Sequence, residues 1–314
     1  MVNFIIRRIL QTVVVLIIVS FLSFLLIHLT PGDPVEMMLG PTALKPQIDF
    51  TRHELGLDKP FIEQYVSWAG NAVRGDFGLS LHYNVPVAQL FAQRFPISGA
   101  LSLMALIVAI IFGIIMGTIS AIRRGTVFDQ VLVVLATSGI CVPIFWLAII
   151  GVYIFGLQLG WLPIQGWISP TVNFWQCVRH AIMPVILLAV PSLAVVARQT
   201  RSSMLEVTRQ DYIRTAWAKG LKESVIIMRH ALKNALIPVV TLVGLQVRIL
   251  LGGSVLVETV LNIPGMGRMF VDAAFNKDYF IIQGGVLVLG VVVSVINLLV
   301  DISYSWLDPR IRYG

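Results

Sequence analysis

The apolar positions of this chain fall in long unbroken runs, not in alternating or short helical patterns. Six runs approach or exceed the length, about 20 residues, that a helix needs to cross a hydrocarbon core. They are 9–29, 99–122, 131–157, 181–197, 235–257 and 281–300. The fourth is the shortest and carries Pro184 and Pro191, which are expected to bend it; neighbouring helices in a bundle accommodate such bends. The fifth is interrupted by Arg248. The first is longer than the apolar core of a signal peptide and ends on Leu29-Thr30-Pro31, a poor cleavage site, so it is expected to be a retained helix that also directs insertion. The pattern predicts an all-α polytopic membrane protein with six transmembrane helices.

The polar stretch between the first two runs, 30–98, is long enough to fold as an extracytoplasmic loop. Within 51–73, Phe61, Tyr65, Trp68, Ala69 and Ala72 recur at helical spacing, which predicts an amphipathic helix. Leu55-Gly56-Leu57-Asp58-Lys59-Pro60 reads as a turn before it, and Arg74-Gly75-Asp76-Phe77-Gly78-Leu79-Ser80 as a turn after it.

Composition strengthens the membrane reading. Apolar residues make up 57% of the chain, charged residues 12%, and the mean hydropathy is +0.86; a soluble domain carries roughly 25% charged residues. The net charge of +7 does not point to nucleic acid, because the basic residues cluster beside the apolar runs. With the N-terminus inside, the inner segments hold fourteen Lys and Arg, and the outer ones, leaving aside the long loop, hold three. Long loops contribute little to orientation, so both termini are expected in the cytoplasm.

Candidate chemistry is sparse. Cys141 and Cys177 form no Cys-x-x-Cys or zinc spacing, and the histidines (His28, His53, His82, His180, His230) lack ligand spacing, so no metal site is expected. No Gly-x-x-x-x-Gly-Lys-Ser/Thr occurs, and no nucleophile–base or paired-carboxylate constellation is evident. The chain is not expected to be an enzyme or to hold a cofactor. Gly113, Gly117, Gly244, Gly252 and Gly253 permit close helix approach, and Asp301 reads as an interfacial acid.

One polar segment lies between two membrane-length runs: 211–238, DYIRTAWAKGLKESVIIMRHALKNALIP. It reads as a short helix, a break at Gly220, a second amphipathic helix, and Pro238 opening the next span. A basic inner loop held on anionic lipid explains the charge but not the glycine between two helical stretches. The segment resembles the EAA loop of permease subunits in binding-protein-dependent ABC importers, most closely the dipeptide, oligopeptide and nickel branch. The family's Glu-Ala-Ala positions read here as Arg214, Thr215 and Ala216, and Gly220 matches. The resemblance continues through Pro31-Gly32-Asp33-Pro34, 55–60, 75–80, Leu251-Gly252-Gly253-Ser254, Val257-Glu258, Pro264-Gly265-Met266-Gly267-Arg268 and Leu307-Asp308-Pro309-Arg310-Ile311-Arg312.

The resemblance implies a type I ABC importer permease: one transmembrane domain over 1–314, with an N-terminal helix (1–29), an extracytoplasmic loop (30–98) and a five-helix core (99–314) carrying a cytoplasmic coupling loop (198–234). It implies that Asp211, Tyr212, Arg214, Ala216, Lys219, Gly220 and Leu221 form the ATPase-coupling loop. Expected partners are a homologous second permease, two cytoplasmic ABC ATPases that hold ATP and Mg, an extracytoplasmic binding protein, and membrane lipid, in a prokaryotic plasma (inner) membrane. Peptides are the implied cargo, with nickel or metal chelates, glutathione and some sugars as alternatives. Arg248, Gly252, Gly253 and Glu258 are candidates for a translocation path. A charge at mid-span is costly, about 2.5–3.5 kcal/mol on insertion scales. Arg248 therefore lines the path, pairs with an acid on a partner, or snorkels from a shifted span. An ion-coupled secondary transporter, the competing class, predicts internal repeats and intramembrane acids; no repeat is found, and the clear mid-span charge is basic.

Overall fold

The structure is a computed structural model, and it describes residues 2–29, 34–39, 43–54 and 56–307. The motif at 31–33, Leu55 and the terminal motif from Asp308 lie outside the described residues. Thirteen α-helices follow one another, with no strand among the described residues. They are α1 (Val2–Leu29), α2 (Pro34–Leu39), α3 (Lys45–Glu54), α4 (Phe61–Val73), α5 (Val87–Ile122), α6 (Val127–Cys141), α7 (Ile144–Gly151), α8 (Phe174–Val207), α9 (Asp211–Ala218), α10 (Glu223–Val225), α11 (Leu232–Val260), α12 (Met266–Phe275) and α13 (Tyr279–Leu307). Wider π turns at Val152–Gln158 and Ile226–Ala231 prolong α7 and join α10 to α11. Five helical stretches among the described residues are long and apolar enough to cross a membrane, or six if one sharply bent pair counts as a single span.

Every expected span has a counterpart, but four boundaries differ. The helix of the second span starts at Val87, not Gly99, and runs through Pro96. The third run is not one straight helix: α6 and the α7 segment meet at 105°. The cause is Pro143, which forces Val142 out of the helical region to φ −78°, ψ 127°. The fourth is one helix of 34 residues that contains both Pro184 and Pro191. Pro238 lies inside α11 and does not open it, because the preceding stretch is already helical and joined to it.

The chain divides into two compact units, Met1–Phe95 with Met269–Ile302, and Pro96–Arg268 with Ser303–Gly314. In the first unit, α4 lies on α1 through aromatic side chains. Phe21 and Phe24 meet Phe61 and Tyr65 edge-on at centroid distances of 5.3–6.0 Å, and Ser20 shares a 2.8 Å hydrogen bond with the Tyr65 hydroxyl. This is the apolar face that the helical spacing of 61–72 predicts. Before α4, the His53 ring nitrogen lies 2.7 Å from Asp58 Oδ2; that hydrogen bond holds the Asp58 carboxyl below its usual range. Asp278 is fully buried at the start of α13, where its carboxylate accepts from Ser80 Oγ at 2.6 Å and the His82 amide at 3.1 Å. It thereby fixes the turn after α4 onto the last helix.

In the second unit, α8 is the central helix, packed against α6, α7 and α11. Leu101, Ala105, Ala109, Gly113, Gly117 and Ala121 recur every fourth residue on α5, which puts them on one face. Leu101, Ala105 and Ala109 enter a core with Leu187, Leu188, Leu250, Val257 and Ile263. Further along, the stripe shrinks to glycine because α8 comes closer. A Cβ on Gly113 would sit 2.7 Å from Val196 Cγ1. One on Gly117 would strike the Ala197 carbonyl and lie 2.7 Å from Thr200 Cβ. The close approach expected of Gly113 and Gly117 is thus present, and dispersion between backbones at short range takes the place of large side chains.

Gly117→Leu should therefore force α5 off α8 and lower stability by about 1–3 kcal/mol, the usual range for overpacking. Gly70→Ala, on α4 where a Cβ meets nothing within 4 Å, should be neutral or gain about 0.5–1 kcal/mol of helix propensity. The temperature at which each variant loses monodispersity in detergent checks both; equal behaviour of the two variants would remove the close-packing argument.

Candidate functional site

The segment following α8 is built around α9. Its inward face is Ile213 and Ala216, both buried against Ala121, Met204, Ile226, Ala231 and Ala235. Tyr212 and Trp217, which flank that face, and Leu221, just past the end of α9, remain 43%, 51% and 38% exposed. Half-exposed aromatic groups at the margins of a buried face leave apolar surface available for a partner. Asp211 and Arg214 form an exposed i,i+3 pair at 3.3 Å, which contributes little in water.

The end of α9 explains Gly220. The Gly220 amide donates to the Trp217 carbonyl at 2.9 Å, and the Leu221 amide donates to the Ala216 carbonyl at 3.4 Å. These are the paired 5→2 and 6→1 bonds of a Schellman C-cap, whose residue after the cap is left-handed. Gly220 has φ +70°, and a Cβ there would meet nothing within 4 Å. The constraint is therefore backbone conformation alone, with no crowding. Lys219 is the C-cap residue, with φ −77° and ψ 1°.

The second amphipathic helix expected in this segment is shorter than the sequence implies. It is the three residues Glu223–Val225, which pass through the π turn Ile226–Ala231 straight into α11. Asn234 Nδ2, on the first turns of α11, donates to the Tyr212 hydroxyl at 2.9 Å and to the His230 carbonyl at 3.0 Å. So α9 rests on a continuous rod running from Glu223 to Val260, held by a buried apolar face and one side-chain bond.

A second support was not legible from spacing. Asp129, in the first turn of α6, accepts from Arg201 Nε and Nη2, both at 2.8 Å. It also accepts from Ser120 Oγ and from the Gly125 amide at 3.0 Å. Four donors thus saturate one buried carboxylate, and the Arg201 contact is bidentate. The pair fixes the α5–α6 turn to the end of α8 from which α9 departs. Thr126 and Asp129 announce a helix start in the sequence, and Thr126 does cap α6. The partner, 72 residues away, leaves no local signal.

The four expected path residues do not share one environment. Arg248 and Gly252 lie one turn apart on an exposed face of α11, and a Cβ at Gly252 would meet nothing within 4 Å. Gly253 faces the opposite way, toward Ile144 and Leu188. Glu258 is 0% exposed. Its carboxylate accepts from Ser98 Oγ at 2.6 Å and the Arg268 amide at 3.1 Å, and Ser98 Oγ accepts from the Met266 amide at 2.8 Å. In this chain Glu258 is engaged in holding the Pro264–Arg268 turn. Gly265 belongs to the same device, since a Cβ there would run into the Glu258 side chain, whereas a Cβ on Gly267 would first meet Val255 Cα at 2.5 Å. Among the described residues, no group of three or more His, Cys, Asp or Glu is placed to hold a metal ion.

Sequence comparison assigns the family. The profile described as binding-protein-dependent transport system inner membrane component matches residues 109–313, and the N-terminal profile of such membrane components matches 1–104. The chain belongs to this family. It is 42% identical over 310 residues to the probable peptide ABC transporter permease protein y4tP of Sinorhizobium fredii, covering 99% of each chain. It is also 42% identical to the di/tripeptide transport system permease protein DppB of Pseudomonas aeruginosa, covering 100% of this chain and 99% of that one. The same identity relates it to the glutathione transport system permease protein GsiC of Escherichia coli, over 100% of both. Its fold is that of a chain from inward-facing structures of the MetNI methionine ABC transporter, with TM-score 0.56, 14% identity, and 70% of this chain and 97% of that one covered. The protein is thus a multi-pass inner-membrane permease subunit of a binding-protein-dependent ABC importer, with the fold class expected from its sequence.

Asp129→Ala should leave the Arg201 guanidinium half-buried and unpaired, and should cost stability near the lower end of about 3–5 kcal/mol. Replacing both partners, Asp129→Leu with Arg201→Met, should recover most of that loss, because an apolar pair needs no mutual neutralisation. Thermal unfolding in detergent distinguishes the cases; a single variant as stable as the wild type would show that the pair does not clamp the turn.

Proposed function

We propose that this permease conducts small peptides across the inner membrane, paired with a homologous permease, driven by two ABC ATPases and fed by an extracytoplasmic binding protein. The observation that carries the coupling part is α9: a capped helix fixed to the bundle through Ile213 and Ala216, with Tyr212, Trp217 and Leu221 left partly exposed around that face. Aromatic anchors of this kind dominate protein interfaces. On this reading Asp211, Tyr212, Arg214, Ala216, Lys219, Gly220 and Leu221 form the surface or the frame of the ATPase contact, and closure of the ATPases moves α9 with the rod behind it. ATP and Mg are held by those ATPases and not by this chain. The names of the peptide relatives support a peptide cargo, and that of GsiC supports glutathione, itself a small peptide, as a second reading.

The exposed face of α11 supports a place for Arg248. A guanidinium in a span avoids lipid, so we assign Arg248 and Gly252 to a surface that meets the second permease or the path between the two. Gly253 and Glu258 support that surface from behind.

Coupling is tested at Gly220. Gly220→Val places a β-branched residue in the left-handed region at about 1–2 kcal/mol or more, whereas Gly220→Asn keeps a residue that tolerates it. The Val variant should insert and assemble but lose uptake and lose stimulation of ATPase activity by loaded binding protein, while the Asn variant retains most of both. Normal transport in the Val variant would exclude the docking role.

Orientation is tested separately. With Cys141 and Cys177 replaced, a single cysteine at Lys45 should react with an impermeant thiol reagent in intact cells, and one at Lys222 only after the cells are opened. The opposite pattern would reverse the topology inferred from the charge asymmetry.

A further inference from the structure

The helix α4 presents three faces, and the packing on α1 uses one of them. Phe61, Tyr65 and Trp68 meet Phe21 and Phe24 of α1. At about 100° per residue, Ile62, Val66 and Val73 form a second line beside that face. Glu63, Ser67 and the C-cap residue Arg74 form a third line beyond the second. The second line is apolar and each of its side chains is more than half exposed. The third is polar and exposed. A helix packed against a protein in water needs one apolar face and a polar remainder, so the second line is surplus to the fold.

The depth of α4 is fixed at both ends. Ser20, Phe21 and Phe24, which it touches, lie within the membrane-length stretch Ile6–Leu25 of α1. At that level the uncovered side of α1 is still hydrocarbon, with Ile17, Ile18 and Leu22 exposed. Phe77, just after α4, packs on α13 inside the stretch Tyr279–Val300; a Cβ on Gly284 would sit 3.1 Å from Phe77 Cβ. Soon after, Ser80 bonds Asp278, which precedes that stretch. So α4 lies across the end turns of two spans, and the polar turn that follows it lies at their rim. Between α1, α4 and α13 a cleft of about 520 Å³ is lined by side chains such as Leu16, Ala69, Val288 and Val291. Its side-chain polar atoms, the Ser20 and Tyr65 hydroxyls, are bonded to each other, which leaves the cleft hydrocarbon in character.

We propose that α4 is an interfacial helix: Ile62, Val66 and Val73 face the acyl chains of one leaflet, and Glu63, Ser67 and Arg74 face water. Such helices lie in the membrane plane with the apolar side about 5–10 Å into the boundary. Tyr65 and Trp68 suit the same level, where aromatic side chains with a polar edge concentrate. The polar line carries one acid and one base, so the surface fits hydrocarbon and does not select headgroup charge. A protein docking on this side of the membrane would meet the polar line and not the apolar one. The proposal concerns the membrane alone and holds for any cargo; that the leaflet is the outer one rests on the proposed orientation.

Spin labelling of the importer complex in liposomes tests it. With Cys141 and Cys177 replaced, a nitroxide is attached in turn to Ile62→Cys, Val66→Cys, Val73→Cys, Glu63→Cys, Ser67→Cys and Arg74→Cys. Molecular oxygen concentrates in hydrocarbon and a neutral nickel chelate in water, so the relaxation of each label by the two probes reports its surroundings. Labels on the apolar line should respond to oxygen and lose nearly all response to the nickel chelate. Labels on the polar line should respond to the nickel chelate, so that the preference alternates along α4 with a period of about 3.6 residues. Nickel access on both lines would place α4 in water and overturn the proposal. An apolar line shielded from both probes would show a protein cover, and its opening when the binding protein is omitted would identify that protein as the occupant; either result overturns it too. Liposomes of phosphatidylcholine with and without phosphatidylglycerol should give the same pattern; a pattern that requires the anionic lipid would refute the hydrocarbon chemistry. Should one label prevent assembly, the remaining positions on its line decide. The readout does not depend on the leaflet, so the cysteine labelling of orientation can fail without touching it, and the reverse.

Discussion

Three buried carboxylates hold this chain where it stops being helical. Mid-helix amides are satisfied within the helix, but those of turns and helix starts need other acceptors. Asp129 gathers the Gly125 amide, Ser120 and Arg201 at the α5–α6 turn. Glu258 gathers Ser98 and the Arg268 amide at the turn after α11. Asp278 gathers Ser80 and the His82 amide at the start of α13. Each acid is among the most buried polar groups of its unit. Each would be expensive to bury alone, and each is stabilised because its oxygens meet several fixed donors.

The glycines complete this arrangement. Gly265 makes room for Glu258 and Gly267 for the α11 backbone at Val255, and Gly113 and Gly117 let α5 approach α8 closely at the end where the Asp129–Arg201 pair forms. Gly220 differs from them, being needed for its φ value and not for space. The result is a bundle end in which α8, α9, the π turn and α11 are connected by short, saturated contacts. On the proposed reading, a displacement applied to α9 would pass through these contacts to α11.

Much of this was legible in the sequence, because the bilayer imposes a crude, strong pattern. Long apolar runs announced the spans, and Phe61, Tyr65 and Trp68 announced α4 with its packing face. Gly220 between two helical stretches announced the cap. What spacing could not show were pairings across the fold. Arg201 reads as one more inner-loop cation until its distance to Asp129 is known. Pro143 is a single residue in an apolar run, yet it divides a span by 105°, whereas Pro184, Pro191 and Pro238 are absorbed within their helices. A proline in an apolar run does not by itself say whether the helix breaks before it or continues through it. Glu258 was conspicuous as an acid near a span, and only the structure places it 2.6 Å from Ser98.

The two sides of α11 draw these points together. One side carries Gln246, Leu250, Gly253, Ser254, Val257 and Glu258, buried or half-buried in the chain's own core. The other carries Leu245, Arg248, Ile249, Gly252 and Leu256, with three large apolar side chains at 44–56% exposure. An apolar stripe alone would suit lipid. A stripe with a permanent charge and an open glycine at its centre suits lipid poorly, since the charge loses its hydration and the glycine leaves a gap. It suits a protein surface, where an acid or an aqueous path can meet the guanidinium and a neighbouring helix can approach the glycine. On the proposed reading, α9 rests on the rod Glu223–Val260 that carries this face of α11, so a movement received at α9 would be delivered along α11.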